Sequence, residues 1–452
     1  MFHVVFNADE KYIKYTAVLI TSIIKNIDSS KSFEDFFKKN GVSELLESFD
    51  KIDYTELNDD EKKEGFVFHI LTNNLSFETK DKLYRLQNQL AEIYPCSILI
   101  HEVNDNELKE YPKFKGNYAT YYRLKIGSIL IKYTKKCLYL DVDMLVLSDI
   151  REIWTLSLKG NIMACIHAIN AKWAINPRST SKNEPYIYPD DKYFNSGFMF
   201  IDLECYNKQD IEKKCFEFLK HYDVSLPDEN SLNALCKGQI LFIPYSYNFL
   251  VYFYDYEREN NRDGTQKIHL LDNFLNTNYS GYSYHLPLSA KELRYFSQNI
   301  KIIHYGCGGY PKPWDFPVQK FDKEFLFYEY CFIEQWWSMA LKTPIFTEEL
   351  VEISMSIFLK KIDSYRIYCK EKQKLIDSID ESNKKLKEEN ANLIDKISNT
   401  ELIIYRTQNC FSYKLGQALI KANKTWYKGG YIKLLFEIRK LKREFKNKKE
   451  KK

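Results

Sequence analysis

A short apolar run ends in two acidic residues in the stretch Cys137-Leu138-Tyr139-Leu140-Asp141-Val142-Asp143. The apolar part predicts a buried strand. Because side chains two apart in a strand project from the same face, Asp141 and Asp143 are expected to point together. Ligands of open α/β sheets bind at the carboxyl ends of the strands, so both carboxylates can bind one cation there. Carboxylate oxygens suit Mg²⁺ or Mn²⁺, and such an ion would neutralise a diphosphate.

The first three hundred residues alternate short β-branched and aromatic runs with longer helical patterns. This alternation predicts an α/β domain with a mixed, mainly parallel sheet, a nucleotide-binding type of architecture that we assign to residues 1–343. Strands are predicted at Val4 to Phe6, Phe66 to Leu71, Ser97 to His101, Cys137 to Leu140, Ile162 to Ile166, Phe198 to Asp202, Ile240 to Ile243 and Lys301 to His304. Helices are predicted at Tyr12 to Asn26, Thr79 to Ile93, Ala119 to Lys132 and Ile211 to Tyr222.

Two segments interrupt this alternation. Residues 29–65 are polar and acidic, and we interpret them as an inserted helical or irregular segment outside the core. Residues 252–287 are rich in Asn, Tyr and Asp and are too long for an ordinary connection. We interpret this second segment as a lid or acceptor loop over a site.

Residues 344–404 are predicted to form a helical, coiled-coil-like segment, because the side chains between residues 376 and 404 follow the alternating three-and-four repeat of a coiled coil. Two asparagines at core positions of this repeat would favour a dimer in one register. The sequence therefore predicts a possible homodimer through residues 376–404, and the alternative is a single helix with one solvated face. The positions of the repeat are Ile376, Ile379, Asn383, Leu386, Asn390, Leu393, Ile397, Thr400 and Ile404.

Residues 405–452 end in a basic amphipathic helix. From Lys433 onward there are ten Lys or Arg against three Glu, a balance of +7, whereas the whole chain has a net charge of +4. Such a helix can lie on an anionic membrane surface, and the alternative is a solvated tail or an oligomer contact. The apolar face is expected to comprise Leu434, Leu435, Ile438, Leu441 and Phe445.

Composition excludes several classes of protein. The basic charge is confined to the tail, so a nucleic-acid partner is not expected. The ten cysteines form no C-x-x-C pair, which disfavours a zinc knuckle and fits reduced thiols. We expect a cytoplasmic protein without a signal peptide or membrane-spanning helix, peripheral on the cytoplasmic face of the inner membrane.

A second motif lies between Lys301 and Trp314, where an apolar strand delivers His304 and is followed by several glycines and Lys312. The glycines allow the backbone to approach a ligand closely, and the lysine can meet a phosphate as a point charge. His304 is a candidate third metal ligand, which would favour Mn²⁺ over Mg²⁺. Alternatively, it is a hydrogen-bonded histidine at the end of a strand.

Taken in order, six blocks of the chain resemble family 8 retaining glycosyltransferases and are similar to bacterial lipopolysaccharide and lipooligosaccharide glucosyl- and galactosyltransferases. The resemblance covers Phe2 to Trp314 and implies a GT-A type, Rossmann-like domain followed by an α-helical extension. The blocks are Val4 to Tyr12, Thr120 to Lys125, Leu138 to Asp143, Phe194 to Gly197, Pro227 to Asn233 and His304 to Trp314.

The resemblance implies a UDP-sugar donor and assigns roles to individual residues. Asp141, Asp143 and His304 become ligands of Mn²⁺, with Mg²⁺ as the second candidate, and Asn195, Asp228 and Glu229 become the catalytic candidates. The implied contacts of the nucleotide sugar are Asn7, Ala8, Asp9, Lys11, Tyr12, Arg123, Asp141, Val142, Asp143, Asn195, Asp228, Glu229, Gly309 and Lys312.

Local structure offers alternatives for some of these residues. Asp9 can belong to an ordinary helix-start turn, and Arg123 can be a surface helix arginine. The pair Asp228 and Glu229 can simply begin a helix, where acidic groups are favoured. Glu229 stands where the resembled enzymes commonly carry Gln, so a nucleophilic or electrostatic role is also open.

The predicted function is retaining transfer of glucose or galactose from a UDP-sugar to a surface-glycan precursor, with the metal stabilising the leaving UDP. Lipopolysaccharide or lipooligosaccharide precursors are the implied acceptors. Two alternatives belong to other classes, a non-catalytic coiled-coil scaffold and a metal-dependent nucleotide-sugar hydrolase.

Overall fold

The computed structural model describes residues 1–168, 178–179, 192–251, 290–306, 312–315 and 332–450. The predicted lid, residues 252–287, and Gly309 therefore lie outside the described residues. The chain divides into two compact units, Met1–Ile362 and Asp363–Lys452.

The first unit is built on a seven-stranded sheet. Six of its strands run in the same direction, and one internal strand, β8 at Phe194–Asp202, is antiparallel to both of its neighbours. The prediction of a mixed, mainly parallel sheet is confirmed. The sheet order is β10-β6-β8-β4-β1-β2-β3, with β1 at Phe2–Asn7, β2 at Phe66–Thr72, β3 at Cys96–Glu102, β4 at Lys136–Leu140, β6 at Met163–His167, β8 at Phe194–Asp202 and β10 at Ile240–Phe242.

Two smaller sheets accompany the large one. A three-stranded sheet has the order β11-β12-β5, with β5 at Met144–Val146, β11 at Phe249–Leu250 and β12 at Ile302–His304. Strand β12 runs antiparallel to β5 and parallel to β11. A two-stranded pair joins β7 at Arg178–Ser179 to β9 at Tyr222–Asp223.

Both faces of the large sheet are buried. Val4 and Phe6 of β1 enter one apolar layer and Val5 enters the other, because side chains of a strand alternate between faces. Strands buried on both faces read as continuous apolar runs, as this chain's do. The helices of this unit are α1 at Ile13–Lys25, α2 at Asp59–Lys62, α3 at Phe77–Ala91, α4 at Ala119–Tyr122, α5 at Ile126–Leu130, α6 at Leu203–Lys208, α7 at Ile211–His221, α8 at Pro227–Leu235, α9 at Ala290–Gln298 and α10 at Ile333–Ala340.

Two sequence predictions for this unit are wrong. The helix predicted from Ala119 to Lys132 is divided by a 3₁₀ turn, Arg123–Lys125, between α4 and α5. Residues 29–65 were expected outside the core, but Phe33, Phe36 and Leu46 of this segment are buried in the main apolar cluster. The segment is polar in its overall composition, so the sequence did not indicate that these few apolar side chains are buried in the core.

The C-terminal residues are helical. Helix α11, Thr347–Gln408, spans 62 residues, and α12, Phe411–Lys424, and α13, Gly430–Glu450, pack on each other as a hairpin. Leu434, with Ile438 and Leu441, packs against Ala418 and Ala422 of α12. Most of the apolar face that was expected on α13 therefore packs against α12, whereas Leu435 remains exposed. Within the described residues, none of the helices is long and apolar enough to cross a membrane.

Candidate active site

The two carboxylates after β4 stand beside the start of β8. Because β8 runs antiparallel to β4, Leu140 pairs with Phe198 and the Asp141 N–H donates to the Gly197 carbonyl at 2.9 Å. The residues Asn195, Ser196 and Gly197 therefore lie next to the acidic pair. Two sequence blocks that are more than fifty residues apart meet here because of this strand pairing.

The small sheet brings His304 to the same place. Strand β5 follows Asp143 directly, and its pairing with β12 sets His304 opposite Met144. The Tyr305 N–H donates to the Asp143 carbonyl at 2.8 Å, which extends the pairing beyond the strand. The imidazole is consequently placed beside the two carboxylates by backbone hydrogen bonds.

Asp141, Asp143 and His304 each offer one ligand atom, and these three atoms lie within 4.8 Å of one another. His304 Nε2 is 3.3 Å from Asp143 Oδ1 and 3.8 Å from Asp141 Oδ2. An octahedral ion with ligands at about 2.1 Å separates adjacent ligand atoms by about 3.0 Å and opposite ones by about 4.2 Å. The two distances from His304 Nε2 fall between these limits, as they would around a small divalent cation, while the role of the three residues as its ligands stays a prediction.

Glycine is required on the backbone that surrounds the imidazole. A Cβ on Gly197 would lie 2.5 Å from His304 Cε1 and 2.9 Å from Asp141 Oδ2. A Cβ on Gly306 would overlap His304 Nε2. Backbone therefore confines the His304 ring closely, in the way that glycine permits.

Arg123 is buried and joins two of the carboxylates. Its Nη2 donates to Asp141 Oδ1 at 2.7 Å, and its Nε lies 3.0 Å from Asp228 Oδ2. Its Nη1 donates to the Ser196 carbonyl at 3.0 Å. The alternative of a surface helix arginine is therefore wrong, and a contact with the donor stays a prediction. Burial opposes the charged guanidinium, but Asp141 and Asp228 outweigh it and raise the pKa of Arg123.

Lys312 approaches the acidic pair from the other side. Its ammonium contacts Asp143 Oδ2 and donates to the Tyr305 carbonyl at 3.2 Å. Burial works against its charge, but Asp143 raises the pKa of Lys312. Asp143 therefore presents one oxygen to Lys312 and the other to His304, and Lys312 is held at the edge of the candidate cation site.

A second group of polar residues lies on the other side of Arg123. Asp228 and Glu229 occupy the first turn of α8, where both are buried. Asp228 accepts from Thr120 Oγ1 at 2.7 Å, and Glu229 Oε2 accepts from Asn195 Nδ2 and from the Ser196 N–H, both at 3.0 Å. Burial raises the pKa of Glu229 to about 7. The pair does begin a helix, and its carboxylates also face the interior.

The candidate nucleotide residues lie at the end of β1. Ala8 is buried, and Asp9 accepts from the N–H groups of Lys11 and Tyr12 at 3.0 and 3.1 Å, which is the expected helix-start turn. Asn7 donates to the Ala119 carbonyl at 3.0 Å, while its buried Oδ1 has no hydrogen-bond partner among the described residues. That orphaned acceptor fits a ligand N–H.

Aromatic contacts connect this turn to the segment with Lys312. Tyr12 meets Trp314 edge to face, and Tyr15 stacks on Trp314 with ring centroids 3.9 Å apart. Lys11 is exposed, and Val142 is partly buried against the core. The segment Lys312 to Asp315 is therefore packed on α1 beside the candidate nucleotide residues.

Sequence reasoning missed Asn248, which is fully buried and touches both His304 and Asn195. It ends a 3₁₀ turn, Tyr245–Asn248, just before β11. A two-residue strand has no apolar periodicity, so the sequence carries no local signal for this position.

The raised pKa of Glu229 predicts a pH-dependent stability. Relative to the ordinary value of 4.5, a folded pKa of about 7 means that the folded protein binds more protons across this window. Wild-type stability should therefore fall as pH rises from 4.5 to 7, whereas Glu229→Gln removes this loss. The stability of the variant relative to wild type should grow by about 3 kcal/mol at most.

Urea unfolding of the metal-free protein between pH 5 and 8 measures this difference. Glu92→Gln, which changes an exposed carboxylate, is the matched control and should show no growing advantage. A Glu229→Gln difference that stays constant with pH would contradict burial as the cause.

Comparison with known proteins gives this geometry its context. The family model described as glycosyl transferase family 8 matches residues 3–316, and a domain of unknown function, DUF8374, matches residues 404–447. A putative glycosyltransferase of Haemophilus influenzae is 25% identical over 251 residues, which are 55% of this chain and 63% of that protein. A lipopolysaccharide 1,3-galactosyltransferase of Salmonella typhimurium is 27% identical over 191 residues, 41% of this chain and 55% of that protein.

The chain thus spans less than two thirds of the length of either relative. Among solved structures, the apo structure of the WbbM bifunctional glycosyltransferase has a TM-score of 0.51 at 18% identity, over 78% of this chain and 51% of that one. This likeness concerns the fold alone and agrees with the expected GT-A type, nucleotide-binding architecture. Since the family model covers more than half of the sequence, the chain belongs to glycosyl transferase family 8.

Proposed function

We propose that the protein transfers glucose or galactose from a UDP-sugar to a glycan acceptor, with retention of configuration. The observation that carries this proposal is the convergence of Asp141, Asp143 and His304 within 4.8 Å. Membership of family 8 and the lipopolysaccharide galactosyltransferase among the relatives support it. The acceptor that we propose is a precursor of lipopolysaccharide, lipooligosaccharide or another surface glycan.

The charges of the site support a divalent cofactor. Four carboxylates, those of Asp141, Asp143, Asp228 and Glu229, share this site with the cations Arg123 and Lys312. Among these six described residues, two negative charges are left unbalanced when Glu229 is ionised and one when it is protonated. We propose Mn²⁺ as the ion, because an imidazole joins the two carboxylates, with Mg²⁺ as the second candidate. When bound, the cation would supply Lewis-acid stabilisation of the diphosphate leaving group.

We propose separate contacts with the base and with the diphosphate of the donor for the remaining residues. The orphaned Oδ1 of Asn7 would accept from the base, and Asp9 shapes the turn that surrounds it. Lys312 would meet the diphosphate as a fixed positive charge. Gly309, the other diphosphate candidate, lies outside the described residues.

We place the transferred sugar against Asn195, Asp228 and Glu229. Arg123 Nε lies 3.0 Å from Asp228 Oδ2 and so orients this carboxylate. Glu229 is held by two donors on one oxygen, and burial raises its pKa to about 7. Near neutral pH a carboxyl group with this pKa exists in both protonation states, so it can stabilise developing positive charge on the sugar in its ionised form.

Activity is tested by UDP release from UDP-glucose and UDP-galactose with Mn²⁺, with and without a lipooligosaccharide acceptor. One donor should support acceptor-dependent release, and Asp143→Asn should lower its rate at least roughly a hundredfold, since it weakens the metal site and the Lys312 contact. Asp81→Asn, on the exposed face of α3, is the matched control and should retain wild-type turnover.

Release that is equally fast without acceptor would support a nucleotide-sugar hydrolase instead. Absence of release from every donor would contradict the enzymatic proposal and favour a scaffold.

We also propose that the C-terminal hairpin docks on an anionic membrane surface. The turn of the hairpin and the first two turns of α13 carry a group of apolar and aromatic side chains that are each between half and two thirds exposed. We term this group the hairpin tip, and it comprises Trp426, Tyr427, Tyr431, Ile432, Leu435 and Phe436. Along α13, the stripe that starts at Leu435 continues with Arg439, Lys442 and Lys446 at helical spacing. Aromatic and aliphatic groups suit the interface, and the cations suit anionic headgroups.

Docking predicts binding to vesicles of phosphatidylcholine and phosphatidylglycerol. The double change Ile432→Asp and Phe436→Asp should lower the partition coefficient roughly tenfold or more, because it removes two apolar side chains from the lipid contact. The matched control is Phe77→Asp, which changes an exposed phenylalanine of the first unit. Equal binding of the tip variant and wild type in sedimentation assays would contradict the proposal.

A second copy of the chain is the partner that we propose for α11. The predicted seam remains about half exposed at Ile376, Ile379, Leu386, Leu393 and Ile397. A mainly apolar seam between residues 376 and 404 of this 62-residue helix favours pairing with an identical seam, in which Asn383 and Asn390 face their own copies.

Sedimentation equilibrium should therefore find twice the mass of the chain. Leu386→Asp with Leu393→Asp should give the monomer, whereas Leu402→Asp, on the opposite side of the helix, should leave the dimer intact. A monomeric wild-type protein at micromolar concentration would contradict this pairing.

A further inference from the structure

The side chain of Asn248 contacts both His304 and Asn195. It is fully buried, and its amide makes one hydrogen bond with each of its polar atoms. The Oδ1 atom lies 2.7 Å from His304 Nδ1, and the Nδ2 group donates to Asn195 Oδ1 at 2.9 Å. Neither the sequence motifs nor the family resemblance gives this residue a role.

One backbone N–H group determines which atom donates and which accepts in the hydrogen bonds that link Asn195, Asn248 and His304. The Gly197 N–H donates to Asn195 Oδ1 at 3.2 Å, and a backbone N–H acts only as a donor. Asn195 Oδ1 is therefore an acceptor, and the group of Asn248 that faces it must be the NH₂. It follows that Asn248 presents its carbonyl oxygen to His304.

A carbonyl oxygen only accepts, so His304 Nδ1 must carry a hydrogen. In a neutral imidazole the other nitrogen then has the free lone pair. That nitrogen, Nε2, is the atom that lies 3.3 Å from Asp143 Oδ1 and 3.8 Å from Asp141 Oδ2. With the imidazole neutral, Nε2 and the two carboxylates present three lone pairs to one another, and a cation between them would stabilise this arrangement.

The series of hydrogen bonds continues from Asn195 to Glu229, beside which we place the transferred sugar. Asn195 Nδ2 donates to Glu229 Oε2 at 3.0 Å, and the Ser196 N–H donates to the same oxygen. Glu229, Asn195, Asn248 and His304 therefore form one hydrogen-bonded row from the buried carboxylate to the candidate metal ligand. Gly197 and Gly306 lie close to the imidazole, and Asn248 determines which of its two nitrogens carries the hydrogen.

We propose that Asn248 is a positioning residue that holds His304 in the Nδ1–H tautomer and so presents Nε2 to the divalent cation. This inference rests on the proposed metal site. Partners that orient a ligating histidine commonly contribute 10- to 100-fold in metal affinity, which sets the expected size of the effect.

The test uses the full-length protein and Mn²⁺ alone, with free Mn²⁺ measured by electron paramagnetic resonance. Asn248→Leu removes the acceptor at similar volume and should weaken Mn²⁺ binding roughly 10- to 100-fold. Asn248→Asp keeps an oxygen opposite Nδ1–H and should stay within about threefold of wild type. The matched control is Asn230→Leu, since Asn230 is equally buried but bonds to Tyr193 and Leu226 instead. It should cost stability and leave Mn²⁺ affinity unchanged.

Equal loss of affinity in the Leu and Asp variants, or none in the Leu variant, would overturn the proposal. A second measurement does not depend on the folding of any Asn248 variant. The ¹⁵N shifts of metal-free wild type at pH 8, assigned with His304→Gln, should report the Nδ1–H tautomer, and an Nε2–H tautomer would refute the role of Asn248. If the wild type has this tautomer but fails to bind Mn²⁺ or Mg²⁺, the proposed metal site fails and the positioning of His304 stands.

Discussion

The antiparallel pairing of β5 with β12 is the interaction on which the candidate site depends. It comprises three residue pairs, and the Tyr305 N–H to Asp143 carbonyl bond extends it. Through this pairing an imidazole arrives beside two carboxylates from about 160 positions away in the chain. The pairing of β8 with β4 adds Gly197, Asn195 and Ser196, so that backbone hydrogen bonds bring these residues and His304 beside the two carboxylates.

Charge is the second constraint. Burial is unfavourable for each carboxylate, and the two nearby cations offset only part of that cost. Arg123 lies between Asp141 and Asp228, whereas Lys312 meets Asp143. A site that remains negatively charged after these pairings is suited to a divalent cation. The bound cation would then attract the negatively charged diphosphate. Burial raises the pKa of Glu229, and the negative charges of Asp228 and Asp141 add to this effect.

Much of the fold could be predicted from the sequence, because the strands of the large sheet are long enough to show apolar runs. Each of them was placed within a few residues of its observed bounds, as for β2, predicted from Phe66 to Leu71 and observed at Phe66–Thr72. The small sheet could not be predicted fully, since β5 and β11 have only three and two residues. Asn248 depends on that small sheet, so it was missed with it. Conversely, Asp141, Asp143 and His304 could be proposed because each follows or ends an apolar run.

The account is tested most directly by crystals grown with Mn²⁺ and UDP and measured at the manganese absorption edge. We predict one anomalous peak that has Asp141, Asp143 and His304 Nε2 within bonding distance, with the UDP diphosphate beside it. A peak that lacks His304 among its neighbours, or no peak between these three side chains, would contradict the account.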